Sequence, residues 1–545
     1  MLWPQLSSCL MPVGLGTVPS DSLIQTIADV QATYGVREMQ MSFSRKNPIA
    51  PFDSRLAAGV AGTLLIVAPW VNPFAGGPSP SVTPWLVSLA CAGLLLVMAA
   101  FVTPADVARG WLAAAVLSAV FGLVQYTGAA HFFAPWINQT EVGEAYGNLR
   151  QRNQFASLMN IGMAVLIFGF HHEEADKARR WLGMGAAALM ATANAASASR
   201  TGLLQLLLLA ALGCLWQSAR LPSARRLLIT ATLSYFLATI ILPLVIGTTP
   251  SMHGVFARMA DASAPCGSRI TLWSNVLHLI AQKPWSGWGW GELDFAHFET
   301  LYPGARFCDI LDNAHDLPLH LAVELGIPAA GVISGVVIWL VVRGQPWREV
   351  QPTRRVAWTV LVMIGVHSLL EYPLWYGPFF TAVVLCAVHL GRSTHVSSSS
   401  RQGVKGARAV LPAAGLLLLC AVWYGALDYH RVSQIYTAPQ ARDPAYRDNT
   451  LAKIQGSWLF ADQVRFAELT MSAVSRSNAA RMFALASASL HYSPEPAVVE
   501  RLIESEVALG MDDAALLDLA RYKAAFPKEH AAWAKANALP LQNAH

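Results

Sequence analysis

The chain has 545 residues, of which 54% are hydrophobic and 13% charged, against about 25% charged in soluble domains. That composition excludes an ordinary soluble enzyme and points to a protein embedded in a membrane. The net charge of +5 gives no support to nucleic-acid binding, so the basic residues matter by position.

A membrane span needs about 20 apolar residues. About eleven segments qualify in chain order: 56–74, 84–102, 110–128, 155–171, 181–198, 202–217, 227–247, 318–342, 356–371, 373–391 and 409–428. Two junctions are tight, "SRT" before residue 202 and the turn around Glu371. Lys and Arg concentrate in alternate loops, from Arg45, Lys46 and Arg55 through Arg109, Lys177 to Arg180, Arg220 to Arg226 and Arg343 to Arg355, ending at Arg392 to Arg408. By the positive-inside rule the N-terminus is cytoplasmic and the C-terminus lies outside. No cleavable signal peptide is visible, and "MSFSRKNPIAPF" from Met41 reads as a better start than Met1, which makes residues 1–40 an upstream extension. The expected fold is all-α and polytopic. It has a cytoplasmic segment 1–55, a transmembrane domain 56–428 with a large outer loop 248–317, and an outer helical domain 429–545.

The outer face then holds the loop 129–154 ending "GNLRQRNQFA", the turn "SRTG" at Arg200, the loop 248–317, and "LEYPLWYG" around Glu371. In the tail, residues 495–527 read as two helices joined at Gly510 and Met511 with Pro527 after the second, a tetratricopeptide-like hairpin. "STHVSSSSRQG", residues 393–403, reads as a linker before the last span. Of seven cysteines only Cys266 and Cys308 fall in the outer loop. They form a disulfide in an oxidising compartment or remain two free buried thiols. No spacing suggests a zinc site.

Several polar residues have two readings each. Arg200 is a helix-end arginine snorkelling to headgroups or a cation awaiting an anion. Arg269 opens an amphipathic helix over 268–282 and is a solvated charge or a second such cation; Trp285, Trp288 and Trp290 behind it suit interfacial anchoring. His315, between Asp312 and Asp316 at the head of an apolar run, is a structural histidine or a general base. Asp316, followed by Pro318, also suits a helix cap. Gln151, Asn153 and Gln154 are loop residues or ligands, and Tyr372 and Tyr376 are aromatic-belt residues or part of a site. The functional readings gain from convergence, because two cations, a base and several hydrogen-bonding groups fall on one side of the membrane from four loops.

"GNLRQRNQFA", "SRTG", "GSRITLW…KPWSGWGWG", "NAHDLPLHLAVELG" and "HSLLEYPLWY", in that order, resemble the O-antigen ligase/polymerase superfamily across nearly the whole membrane part. "HSLLEYPLWY", one further span and an outer helical tail resemble its PglL-type protein O-oligosaccharyltransferases, the pilin-glycosylating ligases. The resemblance implies a bacterial inner-membrane enzyme with a periplasmic active site. Its donor would be an oligosaccharide on undecaprenyl diphosphate and its acceptor a Ser or Thr of a pilin-like periplasmic protein, with no cofactor and no metal. It implies His315 as general base and Arg200 and Arg269 as the essential arginines. Gln151, Asn153, Gln154, Asp316, Glu371, Tyr372 and Tyr376 would be substrate-binding residues. Two positions depart from the family's usual pattern, Asp316 for Asn and Arg152 for Pro.

The residues suit that chemistry. Cations hold the negative charge that builds on a departing diphosphate, and His315 takes the proton of the incoming hydroxyl. Direct displacement inverts the anomeric centre. A ligase for lipid A core or an O-antigen polymerase would use the same residues on another acceptor. A lipid or polysaccharide transporter, the rival of a different class, is expected to carry charges within its spans or broken helices in paired halves.

Overall fold

A computed structural model describes residues 54–169, 176–249, 254–260, 265–391 and 401–542. Residues 1–53, most of the segment 1–55 expected to be cytoplasmic, and residues 393–400 of the Ser-rich linker lie outside the described residues.

Among the described residues every regular element is helical. The first seven are α1 Ser54–Val71, α2 Val82–Val97, α3 Pro104–Tyr126, α4 Arg152–Ala164, α5 Lys177–Ala196, α6 Arg200–Leu215 and α7 Pro222–Val245. The long loop holds α8 Val255–Ala260, α9 Arg269–Gln282 and α10 Leu293–Glu299. Then come α11 Leu317–Leu325, α12 Ile327–Gly344, α13 Pro352–Ser368, α14 Gly377–Gly391 and α15 Arg401–Ser433. The tail adds α16 Thr450–Ile454, α17 Ala461–Met471, α18 Ala479–Leu490, α19 Pro496–Leu509, α20 Asp512–Ala525 and α21 Pro527–Gln542.

Where they are described, each of the eleven apolar segments is mostly helical, and among the described residues four helices are long and apolar enough to cross a membrane: Pro104–Tyr126, Pro222–Val245, Ile327–Arg348 and Ala409–Tyr436. On the third of these, Val332, Val336, Ile338 and Trp339 stay exposed, as expected of a helix whose solvent is lipid. α4 is the opposite case. Phe155, Leu158, Met159, Ile161 and Met163 are all fully buried, because α3, α5, α6 and α13 pack around it. A helix buried on every side shows little amphipathic pattern.

Local chemistry sets the helix starts. Thr103 and Asp106 form a capping box at α3 with Pro104 in the first turn. The side chains of Gln151, Ser199, Ser268 and Asp316 each accept a backbone N–H at the start of α4, α6, α9 and α11.

Two boundaries differ from the sequence reading. The apolar run 318–342 is broken into α11 and α12 at Gly326, whose φ of 85° is a left-handed conformation that glycine adopts without a Cβ penalty; Pro328 then starts α12. The last apolar helix runs unbroken from Arg401 to Ser433, so it takes in the end of the Ser-rich stretch and passes the domain boundary drawn at residue 428.

Cys266 and Cys308 are joined, with Cα atoms 5.3 Å apart and 42 residues of separation. Closing a loop of that length stabilises it by about 4 kcal/mol in the chain-entropy model. Cys308→Ser is expected to lower the melting temperature and expose a reactive thiol at Cys266. An unchanged melt would mean the loop is held by its other contacts.

Candidate active site

The starts of α4, α6, α9 and α11 and the end of α13 meet at one end of the bundle, and their side chains converge on Glu371. This carboxylate is about 10% exposed, and burying it is costly unless its oxygens find partners. His315 Nδ1 lies 2.8 Å from Oε2. Oε1 accepts hydrogen bonds from Arg269 Nη2 and, at 3.1 Å, from Asn153 Nδ2. Ser199 Oγ in turn donates to Asn153 Oδ1 at 2.6 Å, so the cap of α6 also orients Asn153. Burial alone would raise the Glu371 carboxyl. The His315 hydrogen bond and the charges of Arg269 and His315 outweigh it and hold the group below the ordinary glutamate value of 4.5.

The backbone around His315 is specialised. His315 has φ of 53°, and its N–H donates to Asn313 Oδ1 at 2.9 Å. Arg150 and Ala198, with φ of 59° and 50°, also flank the site. Such conformations cost about 1–3 kcal/mol each and collect at functional sites. Trp273 Nε1 donates to the Ala314 carbonyl at 3.1 Å, which ties α9 to the residue before His315. Tyr372 meets the His315 ring edge-on with centroids 5.0 Å apart, and Tyr376 lies 6.2 Å beyond. Burial raises both phenols, which keeps them neutral hydrogen-bonding groups.

The structure thus brings together His315, Glu371, Arg269, Asn153, Tyr372 and Tyr376. Arg200 sits on the exposed first residue of α6, next to the Ser199 cap. Gln151 and Asp316 act locally as helix caps, Gln151 Oε1 accepting the Gln154 N–H at 2.7 Å and Asp316 Oδ1 the Leu319 N–H at 2.9 Å. Gln154 is buried. Sequence reasoning passed over Ser199 and His367. His367 is fully buried, with Nδ1 2.9 Å from Ser157 Oγ, which Gln205 Nε2 also contacts at 2.8 Å. Its carbonyl accepts the Glu371 N–H at 2.8 Å. The one sequence signal for it was its place in "HSLLEYPLWY".

Three family descriptions match parts of the chain: "Protein glycosylation ligase" over residues 145–168, "O-Antigen ligase" over 185–334, and "Virulence factor membrane-bound polymerase, C-terminal" over 355–539. Two relatives from Acinetobacter baylyi are similar. A general O-oligosaccharyltransferase is 26% identical over 159 residues, 28% of this chain and 27% of the relative. A ComP-specific O-oligosaccharyltransferase is 22% identical over 299 residues, 54% of this chain and 53% of the relative. These partial matches make the chain similar to the O-antigen ligase superfamily, nearest in kind to its PglL-type branch. The matched part covers about half the length of one of these relatives and about a quarter of the other. The matched stretches contain every residue around Glu371: Asn153 in the first, Ser199, Arg269 and His315 in the second, and Tyr372 and Tyr376 in the third.

Proposed function

We propose that the protein transfers an oligosaccharide from undecaprenyl diphosphate to Ser or Thr hydroxyls of a pilin-like protein, at the periplasmic face of the bacterial inner membrane. The carrying observation is the pairing of His315 with Glu371. A carboxylate on Nδ1 fixes the tautomer with the proton on that nitrogen, which leaves the Nε2 lone pair as the base. His315 Nε2 takes the acceptor hydroxyl's proton as the oxygen forms its bond to the sugar C1. The C1–O bond to the diphosphate breaks, and its electron pair leaves with the diphosphate. Arg200 and Arg269 supply positive charge where that negative charge grows. Attack from the face opposite the leaving group inverts C1, and a product with retained configuration would rule this mechanism out.

The test supplies a lipid-linked oligosaccharide, a pilin and lipid A core together in a bacterium without its own ligase. A glycan mass on the pilin that disappears in His315→Ala is the expected result. A second reading, transfer to lipid A core, is favoured by the "O-Antigen ligase" match to residues 185–334. It predicts modified lipopolysaccharide and an unmodified pilin in the same experiment. Glycan transfer that survives His315→Ala would remove the base from the scheme.

A further inference from the structure

Three arginines act on one another around the turn at Ala198, and one of them lies in no motif. Arg152 is the first residue of α4 and Arg200 the first of α6, while Arg258 comes from α8 in the long loop. Arg258 Nη1 donates to the Ala198 carbonyl at 3.1 Å, which fastens α8 to the turn between α5 and α6, two residues before Arg200. Arg152 Nη2 is held by Glu144 Oε1 at 3.0 Å and the Tyr146 hydroxyl at 2.9 Å. Among the described residues neither Arg200 nor Arg258 forms an ion pair with a carboxylate. Burial first, and then the charges of Arg152 and Arg200, push the Arg258 guanidinium down from its ordinary value, with Tyr146 and Glu144 opposing. Half-buried Arg258 thus lies within the fields of Arg152 and of exposed Arg200, with Glu144, already paired to Arg152, as the opposing carboxylate, and like charges repel more strongly there than in water. Arg269 differs, because its Nη2 is engaged by Glu371.

An anion with several oxygens resolves such a cluster, and the guanidinium fork matches phosphate oxygens two at a time. We infer that Arg258 and Arg200, flanked by Arg152, form the ground-state site for the diphosphate of the lipid donor. Arg269 then acts mainly through Glu371 and on the transition state. This rests on the proposed donor class and adds Arg258 as a binding residue. It also divides the arginines into a binding pair and a residue felt in turnover.

The test uses the full chain in phosphatidylcholine nanodiscs, with metal-free inorganic pyrophosphate as probe and binding read by calorimetry. Parallel discs carry undecaprenyl diphosphate, undecaprenyl monophosphate or phosphatidylglycerol as competitors. Arg258→Gln and Arg200→Gln are each expected to weaken pyrophosphate about ten-fold, the loss of one charge-assisted contact. Arg258→Lys is expected to fall between them and the wild type, and Arg269→Gln to change affinity less than about two-fold while lowering kcat. Undecaprenyl diphosphate should compete better than the monophosphate. The inference is overturned if Arg258→Gln binds like the wild type, if Arg269→Gln carries the loss instead, or if phosphatidylglycerol competes as well as the diphosphate lipid. Should Arg258→Gln loosen the loop, seen as faster proteolytic cleavage within it, Arg200→Gln carries the same test from the α6 side. Pyrophosphate binding needs neither glycan nor acceptor, so its outcome is separable from whether transfer is observed.

Discussion

Glu371→Gln is expected to lower kcat for glycan transfer by about 10²-fold, with a much smaller effect on donor affinity. The amide keeps the size of the side chain but removes the charge that His315 Nδ1 and Arg269 Nη2 share. An amide presents an N–H where His315 now finds an acceptor, so the ring loses its fixed tautomer or turns away. Arg269 meanwhile loses its carboxylate partner, and among the described residues its buried Nη1 has no hydrogen-bond partner. Glu371→Asp, with charge retained and reach shortened, is expected to recover part of the rate. A Gln variant with wild-type kcat would show that His315 needs no carboxylate.

The same residue has a defined pH signature. Its pKa is lower in the folded protein than the ordinary 4.5, so its contribution to stability is fully present above that value. The contribution is lost as pH falls through the lower folded value. The wild type should therefore lose melting temperature below about pH 4.5 more steeply than Glu371→Gln, and parallel curves for the two would contradict the assignment.

Much of this protein was legible in its sequence, for physical reasons that also mark where legibility stops. The apolar helices announce themselves because lipid tolerates few charges and the segments have few. The break at Gly326 was written as glycine followed by Pro328, yet apolar residues on both sides hide it from a reading by hydropathy. His315, Arg200 and Arg269 were visible as expensive polar groups next to apolar runs. The role of Glu371 was not, because it depends on contacts to residues 56 and 102 positions away that no local periodicity encodes. Sequence made it a substrate ligand, whereas the structure gives both its oxygens to neighbours in the protein. Arg258 carries no signal of its own, Ser199 has only its place in "SRTG", and both gain meaning where the turn at Ala198 folds back. The left-handed backbone of His315 and Ala198 is equally silent, since nothing in a histidine or an alanine announces it.

The second large effect is expected at Phe298, whose replacement by Ala should destabilise the tail and slow transfer together. Phe298 belongs to α10 in the long loop, yet it is 2% exposed inside a core built by Leu469, Met482, Leu490, Val498 and Leu502 of the tail. Deleting such a ring costs about 3–5 kcal/mol. Around it Arg521 Nη2 pairs with Glu299 at 2.6 Å and His491 Nδ1 with Glu292 at 2.6 Å, while the His491 ring stacks on Phe295 with centroids 3.9 Å apart. From α10 the support continues inward. His297 Nδ1 lies 2.8 Å from the Tyr302 hydroxyl and Nε2 3.2 Å from the Phe307 carbonyl. Asn275 of α9 holds the Ala305 carbonyl and the Phe307 N–H at 2.9 and 2.8 Å, and α9 also carries Trp273 against Ala314. A loosened tail therefore reaches the residue next to His315 through packed, hydrogen-bonded neighbours. Because part of its core comes from outside it, a tail cut free at residue 429 should melt well below the same region in the intact chain. Arg521→Ala, which removes partly exposed ion pairs to Glu299 and Asp518, should cost less than Phe298→Ala. Limited proteolysis of the tail and transfer kinetics in one preparation would decide the matter. A Phe298→Ala protein with an intact tail and unchanged kcat would leave the tail an independent domain with no hold on the site.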